Sequence, residues 1–179
     1  ESLAGITGGD ATAVSDDTRN VYVEAAFWWP DAVAGRSRRF NFATDAGHRF
    51  ERGVDPDLTV AHIERISRLI VDICGTPETA CGPVDDQQPN MAKPEPVTLR
   101  VARAAKVIGM PLTLAQCTEV MARLQLPFTE SEGVLTVTPP AYRFDLKIEE
   151  DLIEEVARLV GYENLPETAP LAPVEPRVR

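Results

Sequence analysis

Six carboxylates crowd one short stretch of the chain: Asp145, Glu149, Glu150, Asp151, Glu154 and Glu155, with Lys147 the one cation among them. On a helix, Asp151, Glu154 and Glu155 stand at i, i+3 and i+4 and share one face. That face lies opposite an apolar stripe of Ile148, Leu152, Val156 and Leu159. Asp145 precedes the helix and can fold back toward it. Carboxylates this close repel and raise one another's pKa, and a divalent cation would relieve them. Magnesium suits such hard oxygen ligands; it takes one or two protein carboxylates directly and keeps water or phosphate for the rest. The competing reading is a solvated acidic helix start, which the helix dipole favours. Spacing alone leaves both open.

A second group of candidates lies in the first third of the chain. Gly5-Ile6-Thr7-Gly8-Gly9 is rich in glycine, which lets a ligand approach the backbone closely. It matches neither GxxxxGK[ST] nor GxGxxG, and a plain turn accounts for it equally well. Glu24 interrupts an otherwise apolar run, so it faces either solvent or a polar cavity. Arg36, Arg38 and Arg39 form the one dense basic patch. Residues 44–56, Thr-Asp-Ala-Gly-His-Arg-Phe-Glu-Arg-Gly-Val-Asp-Pro, are polar without helical or strand period and read as a functional or exposed loop. His48 alone is weak support for catalysis, and no Ser-His-Asp or Cys-His arrangement stands out.

The elements that must position these groups follow from periodicity. Residues 19–29 are β-branched and aromatic, predicting a strand. Pro30-Asp31-Ala32 opens a short helix whose end carries the arginines, suited to the negative end of the dipole. Asp55 caps and Pro56 begins a long helix that ends at Gly75. Its stripe of Val60, Ile63, Ile66, Ile70 and Ile73 predicts core packing. A polar, proline-containing stretch then marks a boundary near residue 92. Beyond it come a strand at 97–101, a short helix to Gly109, a capping box Thr113–Gln116 opening a helix, a hairpin turning at Glu132-Gly133, and a last helix over about 148–160. Strand, two helices, hairpin and helix resemble a winged-helix arrangement. Residues 166–179 read as a proline-rich linker.

Composition bounds the function. The 179 residues are 44% hydrophobic and 26% charged, enough for a packed core. Net charge is −10, which disfavours a free-standing nucleic-acid binder. No apolar run is long enough for a membrane span. The start does not read as a signal peptide, and the chain is expected to be a piece of something longer. Cys74, Cys81 and Cys117 form no metal or disulfide pattern and are expected to be reduced and mostly buried.

Three stretches together carry a family resemblance. Thr44-Asp45-Ala46-Gly47-His48-Arg49-Phe50-Glu51-Arg52-Gly53-Val54-Asp55-Pro56 looks like the editing-domain signature of bacterial phenylalanyl-tRNA synthetase beta subunits. Thr138-Pro139-Pro140-Ala141-Tyr142-Arg143-Phe144-Asp145 resembles the entry to the acidic helix of the next domain, and the run from Glu149 to Tyr162 resembles that helix.

The resemblance implies an α+β chain: residues 1–92, the C-terminal part of a mixed α/β tRNA-editing domain; residues 93–165, a small winged-helix-like domain with an acidic metal-binding helix; then the linker. It implies a cytoplasmic enzyme in which this subunit pairs with an alpha subunit in an alpha-two beta-two assembly, with no membrane partner. The whole enzyme attaches phenylalanine to tRNA(Phe) using ATP and magnesium. The beta subunit hydrolyses tyrosine wrongly joined to that tRNA. Carried over by position, Glu24 reads the tyrosine hydroxyl, Thr44 and Ala46 shape the pocket, and Gly5 and Gly8 let substrate lie against backbone. Asp145, Asp151, Glu154 and Glu155 match the magnesium ligands at a site shared with the alpha subunit. No nucleophile is implied: the hydrolysis uses a positioned water and the tRNA's own hydroxyl. A non-catalytic assembly module is the alternative. Two positions depart from the pattern: Gly47 stands where serine is expected, and Thr7 where methionine is expected. The family's pocket histidine has no counterpart, and His48 is expected to order its loop instead.

Overall fold

The computed structural model describes residues 2–91 and 93–167. The proposed linker therefore lies almost wholly outside the described residues. The architecture is α+β, in two compact units. One comprises residues 1–94 together with 139–145; the other comprises 95–138 and 146–179.

The first unit begins with a short antiparallel hairpin, β1 (Ser2–Leu3) and β2 (Thr7–Gly8), paired Ser2 to Gly8 and Leu3 to Thr7. Gly5 makes the turn at φ +68°, where a Cβ would meet Val33 Cγ2 at 2.8 Å. Both the conformation and the space demand glycine there. Three short helices follow: α1 (Pro30–Val33), α2 (Arg36–Phe40) and α3 (Asp45–Phe50). A single turn at Pro56–Leu58, capped by Asp55, leads into α4 (Thr59–Cys74), with Gly75 beyond its end.

Several expectations fail in this unit, among them the single helix from Pro30 through the arginines, which Gly35 at φ +74° breaks into α1 and α2. Residues 20–29 form no strand, because β propensity needs a neighbouring ladder to satisfy the backbone and no described strand pairs with them. The supposed loop at 44–50 is helical: Thr44 accepts the Gly47 amide at 3.0 Å, an N-cap bond strong enough to start α3 without an apolar period. The stripe of α4 does not reach a core. No residue of that helix is buried, and Ile73 is 78% exposed. Among the described residues of this unit, the buried apolar side chains are Ile6, Val33, Pro56 and Pro139.

The second unit is built round a three-stranded antiparallel sheet of order β3-β5-β4, from β3 (Val97–Arg100), β4 (Phe128–Ser131) and β5 (Val134–Val137). Glu132 and Gly133 both have positive φ, at 52° and 78°, the primed turn that matches strand twist. The helices are α5 (Val101–Ile108), α6 (Leu114–Arg123) and α7 (Glu149–Val160). Thr113 and Gln116 form the expected capping box on α6. At its other end Gln125, at φ 55°, lets the Leu126 amide bond the Met121 carbonyl and its own amide bond that of Ala122, a paired C-terminal cap. Leu99, Cys117, Met121, Leu135, Val137, Leu152 and Val156 are fully buried in one core, giving the winged-helix-like unit the sequence predicts. Of the cysteines, Cys117 is buried, and burial pushes its thiol pKa up. Cys74 and Cys81 are exposed, contrary to expectation, because both lie outside that core.

Candidate functional site

In the first unit Thr44 links the glycine turn to the start of α3. Its Oγ1 donates to the Ile6 carbonyl at 2.6 Å while accepting the Gly47 amide at 3.0 Å. One hydroxyl thus joins the glycine turn at 4–8 to the start of α3, residues 38 apart in sequence. Gly5 lines the packed side of that turn. Gly8 faces open space, with nothing within 4 Å of a built Cβ. Ala46 is exposed in the first turn of α3. Gly47 is buried, and a Cβ on it would sit 3.1 Å from Ser37 Oγ and 3.2 Å from Thr44 Oγ1. The departure from serine therefore relieves a tight spot. Glu24 is exposed and makes no hydrogen bond or ion pair among the described residues.

Beside this cluster an open cavity of about 680 Å³ is lined by Asp45, His48, Arg49, Arg52, Gly53 and Val54. His48 Nδ1 lies 3.1 Å from Arg52 Nη1, which also donates to the His48 carbonyl and to Glu51. The histidine is thus tied into the last turn of α3, as its expected role of ordering the segment requires.

The acidic stretch is neutralised mainly by arginine. Asp145, in the first unit, accepts two hydrogen bonds from Arg143 at 2.8 and 2.7 Å, which hold its carboxyl below the usual range. In the second unit Glu149 accepts from Arg100 through both oxygens, takes the Arg100 backbone amide at 2.8 Å, and pairs with Arg103. Arg100 is the main reason its pKa is lowered. Glu150 pairs with Arg103 and is lowered likewise. The expected raising of pKa is overturned at these three positions, because hydrogen bonds from a guanidinium outweigh the neighbouring like charges. Asp151 caps α7 by accepting the Lys147 and Ile148 amides at 2.8 and 2.9 Å. Glu155 does not share an outward face with Glu154: it is 8% exposed and paired with Arg158. Glu154 is exposed, with no hydrogen bond or ion pair among the described residues.

These partners bear on the expected magnesium. Among the described residues no three His, Cys, Asp or Glu side chains gather as a cation site. Asp145, Asp151 and Glu155 already have protein partners among the described residues.

Two family models match the chain: the B3/4 domain over residues 2–75 and the tRNA synthetase B5 domain over residues 97–162. The chain is 61% identical over 172 residues to the phenylalanine–tRNA ligase beta subunit of Ralstonia nicotianae, covering 96% of this chain and 21% of the relative. It is 59% identical over 181 residues to that of Cupriavidus pinatubonensis, covering 99% and 22%. For the subunit of Bordetella pertussis the figures are 56% over 172 residues, 96% and 21%. This chain belongs to the phenylalanine–tRNA ligase beta-subunit family. It spans about a fifth of the length of these relatives.

The family membership gives the two clusters separate addresses, the Thr44 group in the B3/4 match and the Glu149 group in the B5 match. Sequence reasoning missed the pairing of Arg100 and Arg103 with Glu149 and Glu150. The signal was available: arginines three apart, just after a strand, with two adjacent glutamates at a helix start. Their separation of 47 and 49 residues hid it. Among the described residues no helix is long and apolar enough to cross a membrane.

Proposed function

We propose that this chain supplies part of the hydrolytic editing site of a phenylalanine–tRNA ligase and part of its subunit-assembly surface. The whole cytoplasmic enzyme attaches phenylalanine to tRNA(Phe) with ATP and magnesium, as an alpha-two beta-two assembly. Editing is needed because an apolar phenylalanine pocket rejects an added hydroxyl poorly. A second site whose polar groups are satisfied only by that hydroxyl selects tyrosine, since phenylalanine leaves them unpaired.

The observation that supports this reading is the double hydrogen bond of Thr44, which sets the glycine turn against the start of α3. Gly5, Gly8, Thr44 and Ala46 then frame the substrate, and Glu24 reads the tyrosine hydroxyl. Asp145, Asp151, Glu154 and Glu155 are the residues this chain offers toward magnesium, with the remaining ligands drawn from the alpha subunit.

The test is deacylation of Tyr-tRNA(Phe) against Phe-tRNA(Phe) by the complete two-subunit enzyme, with and without Ala46→Trp. Selective release of tyrosine, abolished by the bulky side chain while charging persists, is the expected result. Hydrolysis of neither ester by the unmodified enzyme removes the editing role. The chain is then an assembly module, a reading favoured by the exposed Glu154 and the exposed Ile66 and Ile73 of α4.

A further inference from the structure

We propose that the exposed end of α2, with Arg36, Arg38, Arg39, Phe40 and Phe42, is a docking surface for single-stranded RNA: the 3′-terminal nucleotides that carry the ester to the Thr44 cluster. The proposal rests on the editing reading and names the surface that would deliver its substrate.

Charge is the first argument. The chain carries −10 overall, so a polyanion is repelled by most of it. Three of the four residues 36–39 are arginine, and all three are exposed. None is paired with a carboxylate among the described residues, unlike Arg49, Arg52, Arg100, Arg103, Arg143 and Arg158. Arg36 Nε donates to the Ala32 carbonyl at 3.1 Å, which steadies its stem and leaves the guanidinium face outward.

The aromatic groups give the second argument, because charge alone would not choose a single strand. Phe40 and Phe42 are 42% and 41% exposed, with ring centroids 6.4 Å apart and planes tilted by 35°. The Arg39 guanidinium lies 5.7 Å from the centre of the Phe40 ring. Unpaired bases stack on such rings, and arginines beside them hold the phosphates. A duplex shows no free base faces to stack on such rings.

Position is the third. Between the arginines, Ser37 turns inward, and its Oγ would lie 3.1 Å from a Cβ on Gly47. The Ser37 carbonyl accepts the Phe42 amide at 3.1 Å, fixing Phe42 back against α2. Gly47 in turn donates to Thr44. The platform is thus tied to the pocket threonine through Ser37 and Gly47.

The experiment uses the complete two-subunit enzyme with two variants, Arg38→Ala/Arg39→Ala and Phe40→Ala/Phe42→Ala, each checked for folding by thermal melting. In Tyr-tRNA(Phe) deacylation, both should raise KM about tenfold with little change in kcat. The arginine variant should also make the dependence of log(kcat/KM) on log salt shallower by about 1.4, two phosphate contacts at ~0.7 each. Unchanged KM and salt slope in folded variants overturn the proposal. If the unmodified enzyme hydrolyses neither ester, the editing reading fails by itself, and ultraviolet crosslinking of tRNA(Phe) then decides the surface. A crosslink from the 3′-terminal nucleotides to Phe40 or Phe42, lost in the arginine variant, supports it. No crosslink in that segment, as when another part of the subunit covers the rings, overturns it.

Discussion

Single residues in the first unit are fixed by space as much as by chemistry. Gly53 has φ +103°, and a Cβ there would lie 2.3 Å from the Phe144 ring. Phe144 stacks on Phe27 with centroids 6.0 Å apart, and Phe27 meets Trp29 edge-on at 5.3 Å. Gly53→Ala must therefore strain the backbone and push the ring aside, at a cost of about 1–3 kcal/mol. Urea unfolding followed by tryptophan fluorescence would read this as a lower midpoint, and an unchanged midpoint would mean that Phe144 does not pack there. The sequence marks Gly53 only as part of a motif. That its requirement comes from an aromatic ring some 90 positions later is a fact of tertiary contact. Thr44 is similar: its N-cap bond is local and readable, whereas its bond to the Ile6 carbonyl is not.

Elements were legible where local chemistry closes on itself. The capping box of α6 and the primed turn at Glu132-Gly133 appear as their residues predict, and Asp55 caps a turn at Pro56 as expected, though that turn is a separate one that precedes α4. The strand expected at 19–29 failed because a strand is completed only by its neighbour. The start of α7 shows a third case. Its register is local, set by Asp151 on two amides, but its start is also tied to β3 and α5 by Glu149 and Glu150 meeting Arg100 and Arg103. The folded-state pKa of Glu149 is depressed, so its contribution is fully present above the ordinary glutamate pKa of about 4.3 and fades as pH falls through the lower folded value. Glu149→Gln should therefore lower stability at neutral pH and flatten the acid limb of the stability profile between the ordinary and the lowered pKa. Thermal melting from pH 7 to pH 3 checks it; parallel profiles for the two proteins would show that the pair contributes nothing.

At the scale of the whole molecule the two units differ in how far each stands alone. The second buries a continuous core from β3 through α7. In the first, no residue of α4 is buried, and Ile66 and Ile73 of its apolar stripe are exposed. The assembly reading belongs at this scale. Glu154→Gln removes an exposed carboxylate with no partner among the described residues, so it should leave the second unit's melting temperature unchanged. It should also weaken association with the alpha subunit, with wild-type association weakened likewise by removing magnesium. Sedimentation of the assembled enzyme with and without a chelator measures both, and a variant that assembles normally in each condition would take Glu154 out of that contact. The sequence by itself determined the α+β class, most helix ends, the hairpin and the family, since these rest on local capping, turn chemistry and motif. Only the tertiary structure decided which carboxylates are paired, that Glu155 is buried, and that one threonine hydroxyl clasps a turn 38 residues away. Ion pairing and burial depend on groups brought close by folding, and linear spacing does not encode that distance.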